Sequence, residues 1–453
     1  MFDITISEAA AICGGSVYGA GDPEQEIKEV CIDSRSVTPG AIFAAYRGEK
    51  TDGHRYVPAA FARGAICALC EELPQGEEHG MILLVDSVQE AMEKLMAAFR
   101  SRLKIPLLGI VGSVGKTTAK EMVSSVLEQR FSLYKTEGNL NNLIGVPVSL
   151  SRIRKEHEFG VLEMGINHFG EMRRLGKMVR PDIVLFTNIG HAHLEFLGDL
   201  EGVRRAKTEV LESMSEDALL LLNGDDEMLT SLTCSQRKIY YGLGENCAVR
   251  ASRICRMQND FMQCTISYED RSFPVRIPGF GEHLVYAALE GAAAGFALGL
   301  TDGEIMRGIE NYRPCGRRFA CVDTGCFRLI DDCYNSNPDS LSSSLRSLAL
   351  LPGRKVAILG DMLELGEHTD QMHRDMGALA KSLGIELLIA VGPLAKYMAE
   401  AYGSGAAWFE SKDALLSSVF DLVHEKDAVL VKASRGVMLE EVSEAIKSYR
   451  KEP

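Results

Sequence analysis

The sequence predicts an α/β protein of three domains, in which a central parallel, doubly wound sheet lies between a small mixed N-terminal domain and a C-terminal Rossmann-like α/β domain. Three observations predict it. Between Ile105 and Asn223, short β-rich runs (LLGIVG, VLEMG, DIVLFTNI, ALLLLNGDD) alternate with amphipathic stretches, the βαβα order of a parallel sheet with its functional loops at the strand C-terminal ends. A second such series, FRLIDDC, KVAILGDM, ELLIAVG and AVLVKAS, follows the Arg-Pro-Cys-Gly-Arg-Arg turn at 313–318. The chain has 453 residues, too many for one ordinary core and a length that suggests about three domains.

Taken in order, residues 1–104 read as a small mixed domain ending in a helix-like stretch from Val88 to Leu103. Residues 105–313 carry the first βα series. Within them, Lys238 to Ile277 changes character to short antiparallel strands, expected as an appended small sheet. An Ala-rich helix from Glu282 to Leu300 and a second helix ending near Tyr312 close this domain. Residues 314–453 carry the second series. No internal repeat or low-complexity tract interrupts the pattern.

Composition narrows the function. The chain is 46% hydrophobic and 25% charged, as in globular proteins, with a net charge of −14. An acidic chain has no general attraction for nucleic acid or anionic lipid, so neither is expected as a partner. The opening MFDITISEAAAICGG carries Asp3 and Glu8 and lacks a basic segment before an apolar core, and no apolar run approaches the ~20 residues of a membrane helix. A cytoplasmic protein is the expectation. Its twelve cysteines then read as thiols. Cys67 and Cys70 form one C-x-x-C without a second pair at zinc-ribbon spacing, and Cys315, Cys321, Cys326 and Cys333 are irregularly spaced.

The most informative stretch is Leu107 to Glu121, LLGIVGSVGKTTAKE. A strand ending at Val111 delivers Gly112, Ser113 and Gly115 into a turn whose backbone N–H groups point inward, and the next helix begins with its positive end toward the same spot. Lys116 is expected to reach the β/γ-phosphates, and the Thr117 hydroxyl to hold Mg²⁺. ATP or GTP is the implied ligand. The full G-x-x-x-x-G-K-[ST] pattern wants glycine where Ile110 stands, so the loop is a shortened variant.

Three other strand ends carry polar groups. Glu163 ends VLEMG, where this kind of fold places a carboxylate for Mg²⁺. Asn188, His191 and His193 follow DIVLFTNI. The stretch TEGNLNNLIGVP offers Asn139, Asn141 and Asn142, amides that suit phosphate or sugar oxygens because they donate without titrating, although Asn and Gly also favour plain turns.

Together these residues resemble the Mur ligases, and within that family the member joining D-alanyl-D-alanine to UDP-N-acetylmuramoyl-tripeptide. The likeness runs essentially end to end: IDSRSVTPGAIFAAYRGEKTDGH, then GSVGKTTAKE, TEGNLNNLIGVP, EMGINHFGE, TNIGHAHLE, AKTE and NGDD, then DDCYNSNPDS, LGDMLELGE and VKASRG. The resemblance implies a monomeric, three-domain, ATP-dependent peptide ligase of peptidoglycan precursor synthesis, working through an acyl phosphate with two Mg²⁺ ions.

It also implies roles residue by residue. Gly112, Ser113, Gly115, Lys116, Thr117, Thr118, Asn188 and His283 would bind the nucleotide. Arg317 would reach its phosphates at the domain junction, and Asp332, Tyr334, Asn335 and Asn337 would close over ATP. Thr117, Glu163 and His193 would hold Mg²⁺, and Lys207 would carry a carbamate beside the second ion. Ser34, Arg35, Gly48, Asp52 and His54 match the UDP-binding first domain, and Ser434 and Arg435, with the three Asn residues, the remaining substrate sites. Three positions depart from the family pattern: Leu284 and Ala287 where Asn is usual, and Ala433 where Gly is usual. Same-chemistry alternatives are the ligase that adds the third peptide residue, whose Asp-x-Pro-Arg motif is missing here, and a folate polyglutamylating enzyme. A nucleotide-dependent regulator without catalysis is the alternative of a different class.

Overall fold

The computed structural model describes residues 3–48, 51–74, 80–257, 261–314 and 316–450, and its strands form three sheets. Strands Ser16–Tyr18 (β1), Val30–Cys31 (β2), Ile42–Ala44 (β3), Cys67–Cys70 (β4) and Met81–Leu84 (β5) pair in the order β1-β5-β4-β3-β2. β2 to β5 are parallel, and β1 runs antiparallel to β5. Cys67 and Cys70 are core side chains of β4, where burial pushes both thiols up to about 12. Cys315 lies outside the described residues, and none of the eleven described cysteines is in a disulfide.

The helix Val88–Arg102 joins this sheet to the next. Ser87 caps it by accepting from Glu90 N, and its buried residues Val88, Ala91, Met92, Leu95, Met96 and Phe99 recur at three- and four-residue spacing. Arg100 fixes its far end. Its guanidinium donates to the carbonyls of Val179 and Arg180 and to Asp182, which in turn accepts from Leu107 N. A buried cation is tolerated here because its donors are satisfied.

The central sheet has nine strands: Leu107–Val111 (β6), Leu133–Lys135 (β7), Phe159–Glu163 (β8), Ile183–Phe186 (β9), Leu219–Asn223 (β10), Arg237–Gly242 (β11), Val249–Met257 (β12), Phe261–Tyr268 (β13) and Arg271–Pro278 (β14). The order is β14-β13-β12-β11-β10-β9-β6-β8-β7. β6, β8 and β9 are buried at every residue, as expected of parallel strands covered on both faces. From β6 the chain moves to one side of the sheet and from β9 to the other, so the crevice at their C-terminal ends is the switch point where such sheets bind ligands.

The antiparallel strands expected as an appendage continue this sheet. β11 pairs parallel with β10, starting at Leu219↔Arg237, and β12 pairs parallel with β11 before β13 and β14 turn antiparallel. Covering β10 removes the open edge its leucine run would otherwise present.

The third sheet contains Ala320–Asp323 (β15), Arg328–Asp331 (β16), Lys355–Gly360 (β17), Leu387–Val391 (β18), Ala406–Phe409 (β19) and Ala428–Lys432 (β20), in the order β15-β16-β20-β17-β18-β19. All neighbours are parallel except β15 and β16. Apolar packing is continuous between sheets: one cluster runs from Met122 and Val126 through the helix Glu282–Ala297 to Leu341 and Leu345, and another joins Val88–Phe99 to Phe186 and Leu222. Among the described residues no helix is long and apolar enough to cross a membrane.

Candidate active site

β6 ends at Val111 and the helix Lys116–Leu127 begins four residues after Gly112. The backbone of Gly112 lies so close to Thr187 that an added Cβ would collide with its Oγ1, and Gly115 caps the helix at φ 84, so both positions require glycine. The segment after β9 holds the turn from beneath. Ser113 N donates to Asn188 O at 3.0 Å, Val114 N to Asn188 Oδ1 at 3.0 Å, and Thr187 Oγ1 to Val114 O at 2.6 Å. Ser113 Oγ both donates to Gly190 O and accepts from Gly190 N. Asn188, expected to meet the nucleotide, spends its amide on the loop backbone and acts on a ligand through the loop's shape. Thr118 stands half-buried in the first helical turn.

Lys116 folds back, its Nζ donating to Gly112 O at 2.7 Å. Burial lowers its pKa, Glu163 opposes that shift, and Arg318 reinforces it. Glu163 is 1% exposed and engaged at both oxygens: Thr117 Oγ1 donates to its Oε2 and Asn141 Nδ2 to its Oε1, both at 2.7 Å. The other two amides of that stretch do not join it. Asn142 Oδ1 accepts from Ile144 N and Gly145 N at the start of the helix Gly145–Ser151, and Asn139 is exposed.

His193 stands at φ 57, in the left-handed region, and heads the short helix Leu194–Leu197. Its Nδ1 lies 2.6 Å from Glu364 Oε2. Burial lowers its pKa, Glu364 opposes this, and Lys207 and Lys116 are near enough to lower it further. Lys207 is 1% exposed, and its pKa falls well below the usual value through burial and then the charge of Lys116. His191 turns to the C-terminal domain, where its N donates to Asp339 Oδ2 at 2.6 Å and its Nδ1 lies 3.1 Å from Oδ1.

No group of three or more His, Cys, Asp and Glu side chains among the described residues could hold a metal unaided. Mg²⁺ suits what is present, because it binds through one or two carboxylates together with waters and substrate phosphates. Glu163 with Thr117 supplies a buried hard-oxygen pair, and His193 keeps Nε2 available.

At the domain junction Arg317 pairs with Glu444 at 2.9 Å. Its neighbour Arg318 faces the cleft: its guanidinium lies 3.7 Å from the Tyr334 ring centroid, and its charge is felt by Lys116. Arg435 approaches the same ring at 5.6 Å. Asp332 is occupied, accepting from Phe319 N, Ser344 Oγ and Lys432 Nζ. Asn335 accepts from Ser336 N, and Asn337 caps the helix Pro338–Ala349, so both shape the turn. Ser434 is buried, donating to Ser336 O and accepting from Leu363 N. His283 meets Phe319 edge-on at 4.6 Å, with Nδ1 buried and unpartnered and its pKa pushed down to about 4 by burial.

The departures from the family pattern are packed positions. Leu284 and Ala287 sit in the core, and Ala433 lies against Gly360, where a Cβ would come within 2.7 Å of it.

In the first domain Ser34 is buried within a turn capped by Asp33, and Arg35 is exposed and paired with Asp33. Asp52 accepts from His54 N and lies 2.6 Å from His54 Nδ1, while Glu71 N donates to His54 Nε2 at 2.9 Å. Both ring nitrogens of His54 are therefore engaged within the domain. Gly48 is exposed, and its N donates to Thr51 O.

Sequence reasoning passed over Thr187, Arg318, Asp339 and Glu364. Thr187 and Glu364 stand inside the motifs TNIG and LGDMLELGE, and Arg318 is the second half of an Arg-Arg pair.

Three family models match the chain: the Mur ligase family catalytic domain at residues 26–100, the Mur ligase middle domain at 110–295, and the Mur ligase glutamate ligase domain at 317–435. A UDP-N-acetylmuramoyl-tripeptide–D-alanyl-D-alanine ligase of Escherichia coli (strain K12) is 32% identical over 98% of this chain and 99% of its own. Its counterpart from Bacillus subtilis (strain 168) is 30% identical over 98% of each. Among solved structures, MurF from Acinetobacter baumannii superposes with a TM-score of 0.90 at 29% identity, over 98% of this chain and 99% of that one. MurF ligase from Thermotoga maritima in complex with ADP superposes at 0.82 with 25% identity, over 93% and 97%.

Proposed function

The chain belongs to the Mur ligase family, and from that premise we propose that it joins D-alanyl-D-alanine to UDP-N-acetylmuramoyl-tripeptide at the expense of ATP, in peptidoglycan precursor synthesis. One observation carries the reading beyond nucleotide binding. Lys207 is 1% exposed and close enough to Lys116 and His193 for their charges to act on one another, and His193 is fixed by Glu364 at 2.6 Å, a set of buried polar groups beyond what mere binding of a nucleotide requires.

Peptide-bond formation from a carboxylate needs activation. The tripeptide carboxylate attacks the γ-phosphorus, an O–P bond forms, and ADP leaves. The dipeptide amine then attacks the acyl carbon, and the tetrahedral intermediate loses a proton and expels phosphate. Lys116 exchanges its bond to Gly112 O for the β/γ-phosphate oxygens, and the N–H groups of the 112–118 turn cradle them. Mg²⁺, when bound, offsets the negative charge of the phosphates. Thr117 and Glu163 would hold one ion and His193 the second.

Lys207 suits carbamylation because it is buried and, among the described residues, the charge that acts on it is another cation, Lys116. A neutral amine adds to CO₂, forming an N–C bond and releasing one proton, and the cation that burial disfavours becomes an anion suited to the second metal. Residues 1–104 are assigned to the UDP-muramoyl group, 105–313 to ATP, and 314–453 to the dipeptide, with Arg318, Tyr334 and Arg435 at the rim of the cleft. Dependence on ATP and a nucleotide-linked substrate favours a cytoplasmic site of action.

Phosphate release measured against a matrix of UDP-muramoyl tripeptides and D-alanyl-D-alanine, lysine or diaminopimelate tests the reading. Release should require both a tripeptide and D-alanyl-D-alanine. With ATP and tripeptide alone, hydroxylamine should trap an acyl phosphate. Release supported equally by lysine or diaminopimelate, or by nucleotide alone, would refute it.

A further inference from the structure

Two hydrogen bonds fasten the His193 segment of the central domain to one residue of the C-terminal domain. His193 Nδ1 lies 2.6 Å from Glu364 Oε2, and Glu195 N donates to Glu364 O at 3.1 Å. The fit is close on both sides of the contact. His193 takes a left-handed φ of 57, and Gly366, also at φ 57, brings its backbone against Glu195 where a Cβ would come within 3.1 Å of Glu195 Cα.

A carboxylate only accepts hydrogen bonds, so the ring proton sits on Nδ1 and the Nε2 lone pair is left for another partner. A histidine that binds metal through one nitrogen characteristically gives its other N–H to a carboxylate or carbonyl, which fixes the ring and raises its basicity. We infer that Glu364 is a positioning residue for His193, holding its tautomer and ring direction from across the domain boundary, so that the C-terminal domain completes the second metal site. The inference rests on the reading of His193 as a metal ligand. It differs from simple domain docking, for which the nearby His191–Asp339 pair provides a second, independent contact between the same two domains.

Mn²⁺ binding by the full chain in the presence of a non-hydrolysable ATP analogue, followed by electron paramagnetic resonance, tests it without turnover. His193→Ala should abolish the second, weaker Mn²⁺ site. Glu364→Ala should weaken that site about 10- to 100-fold, leaving the first Mn²⁺ and the nucleotide affinity unchanged. Glu364→Gln, whose amide oxygen still accepts from Nδ1, should recover part of the loss. In the His193→Ala background Glu364→Ala should cost nothing further, and Asp339→Asn should leave the second site within about threefold of wild type.

If His193→Ala leaves both sites intact, the ligand reading fails and this inference with it. If His193→Ala loses the site but Glu364→Ala stays within twofold of wild type, this inference alone fails. A loss in Asp339→Asn as large as in Glu364→Ala would assign the effect to domain docking and overturn it as well.

Discussion

Thr117 and Glu163 hold each other: the hydroxyl donates to Oε2 at 2.7 Å, deep in the site where the carboxylate is 1% exposed. β8 supplies one partner at its last residue and the helix Lys116–Leu127 the other in its first turn, so the contact registers the phosphate loop against the neighbouring strand. Asn141 donates to the other carboxylate oxygen. A cation at Glu163 must share or displace these donors, which ties metal binding to the position of the loop.

Lys116→Ala should lower turnover by about a thousandfold or more, since it removes the loop's cation from the developing phosphate charge. Stability should change by no more than about 1 kcal/mol, because burial already holds the pKa of this ammonium down and only Gly112 O and Ser113 O accept from it. Steady-state phosphate release and urea denaturation measure the two quantities. Near-normal turnover would refute the assignment of the ATP site.

The phosphate loop, the βα order and the position of Glu163 were legible because each is written in consecutive residues: an apolar run, a glycine turn, a helix pattern. The surroundings of isolated polar side chains were not. Asn142 closes a turn ahead of a helix, Asn337 caps one and His54 is a satisfied interior histidine, since such residues serve turns and ligands with the same atoms, and only the folded surroundings choose. Arg317 and Arg318 are adjacent, yet one faces Glu444 and the other Tyr334. Glu364 meets His193 across 171 residues of chain, beyond any local pattern. The sheet extension through β11 was hidden for the same reason, because strand pairing depends on register between distant segments.

Asp332→Asn separates a nucleotide contact from an anchor. Asp332 faces Lys432, whose side chain is 2% exposed, at 2.6 Å, and also holds Phe319 N and Ser344. Leaving a buried ammonium without its carboxylate should cost about 3 kcal/mol in urea unfolding. Unchanged stability with a raised KM for ATP would instead assign Asp332 to the nucleotide.

Glu290 predicts a pH dependence of stability. It lies 5% exposed beneath the active-site strand, with Tyr241 Oη 3.1 Å from Oε1, and burial pushes its carboxyl up from 4.5 to about 8, against the opposing Tyr241 bond. Between those values the folded chain keeps a proton that the unfolded chain releases. Its contribution is thus fully present below about 4.5 and is lost as pH rises toward about 8, with a slope of up to about 1.4 kcal/mol per pH unit. Glu290→Gln mimics the protonated acid and should gain stability over wild type progressively across that window. Parallel stability curves for the two proteins would show that Glu290 titrates normally.

Lys207 offers the sharpest test of the proposed chemistry. As an unmodified lysine it is a buried side chain whose ammonium is disfavoured by burial and by Lys116, an arrangement that costs stability and gives nothing back. As the proposed carbamate it would instead offer an anionic oxygen pair near His193, where the second metal is proposed. Lys207→Ala should therefore lose most activity, because the site loses an anion. Acetate or formate should restore part of the rate by filling the vacated space with a carboxylate, and alkylammonium salts should not. If an alkylamine rescues turnover and the carboxylates fail, Lys207 works as a plain cation and carries no carbamate.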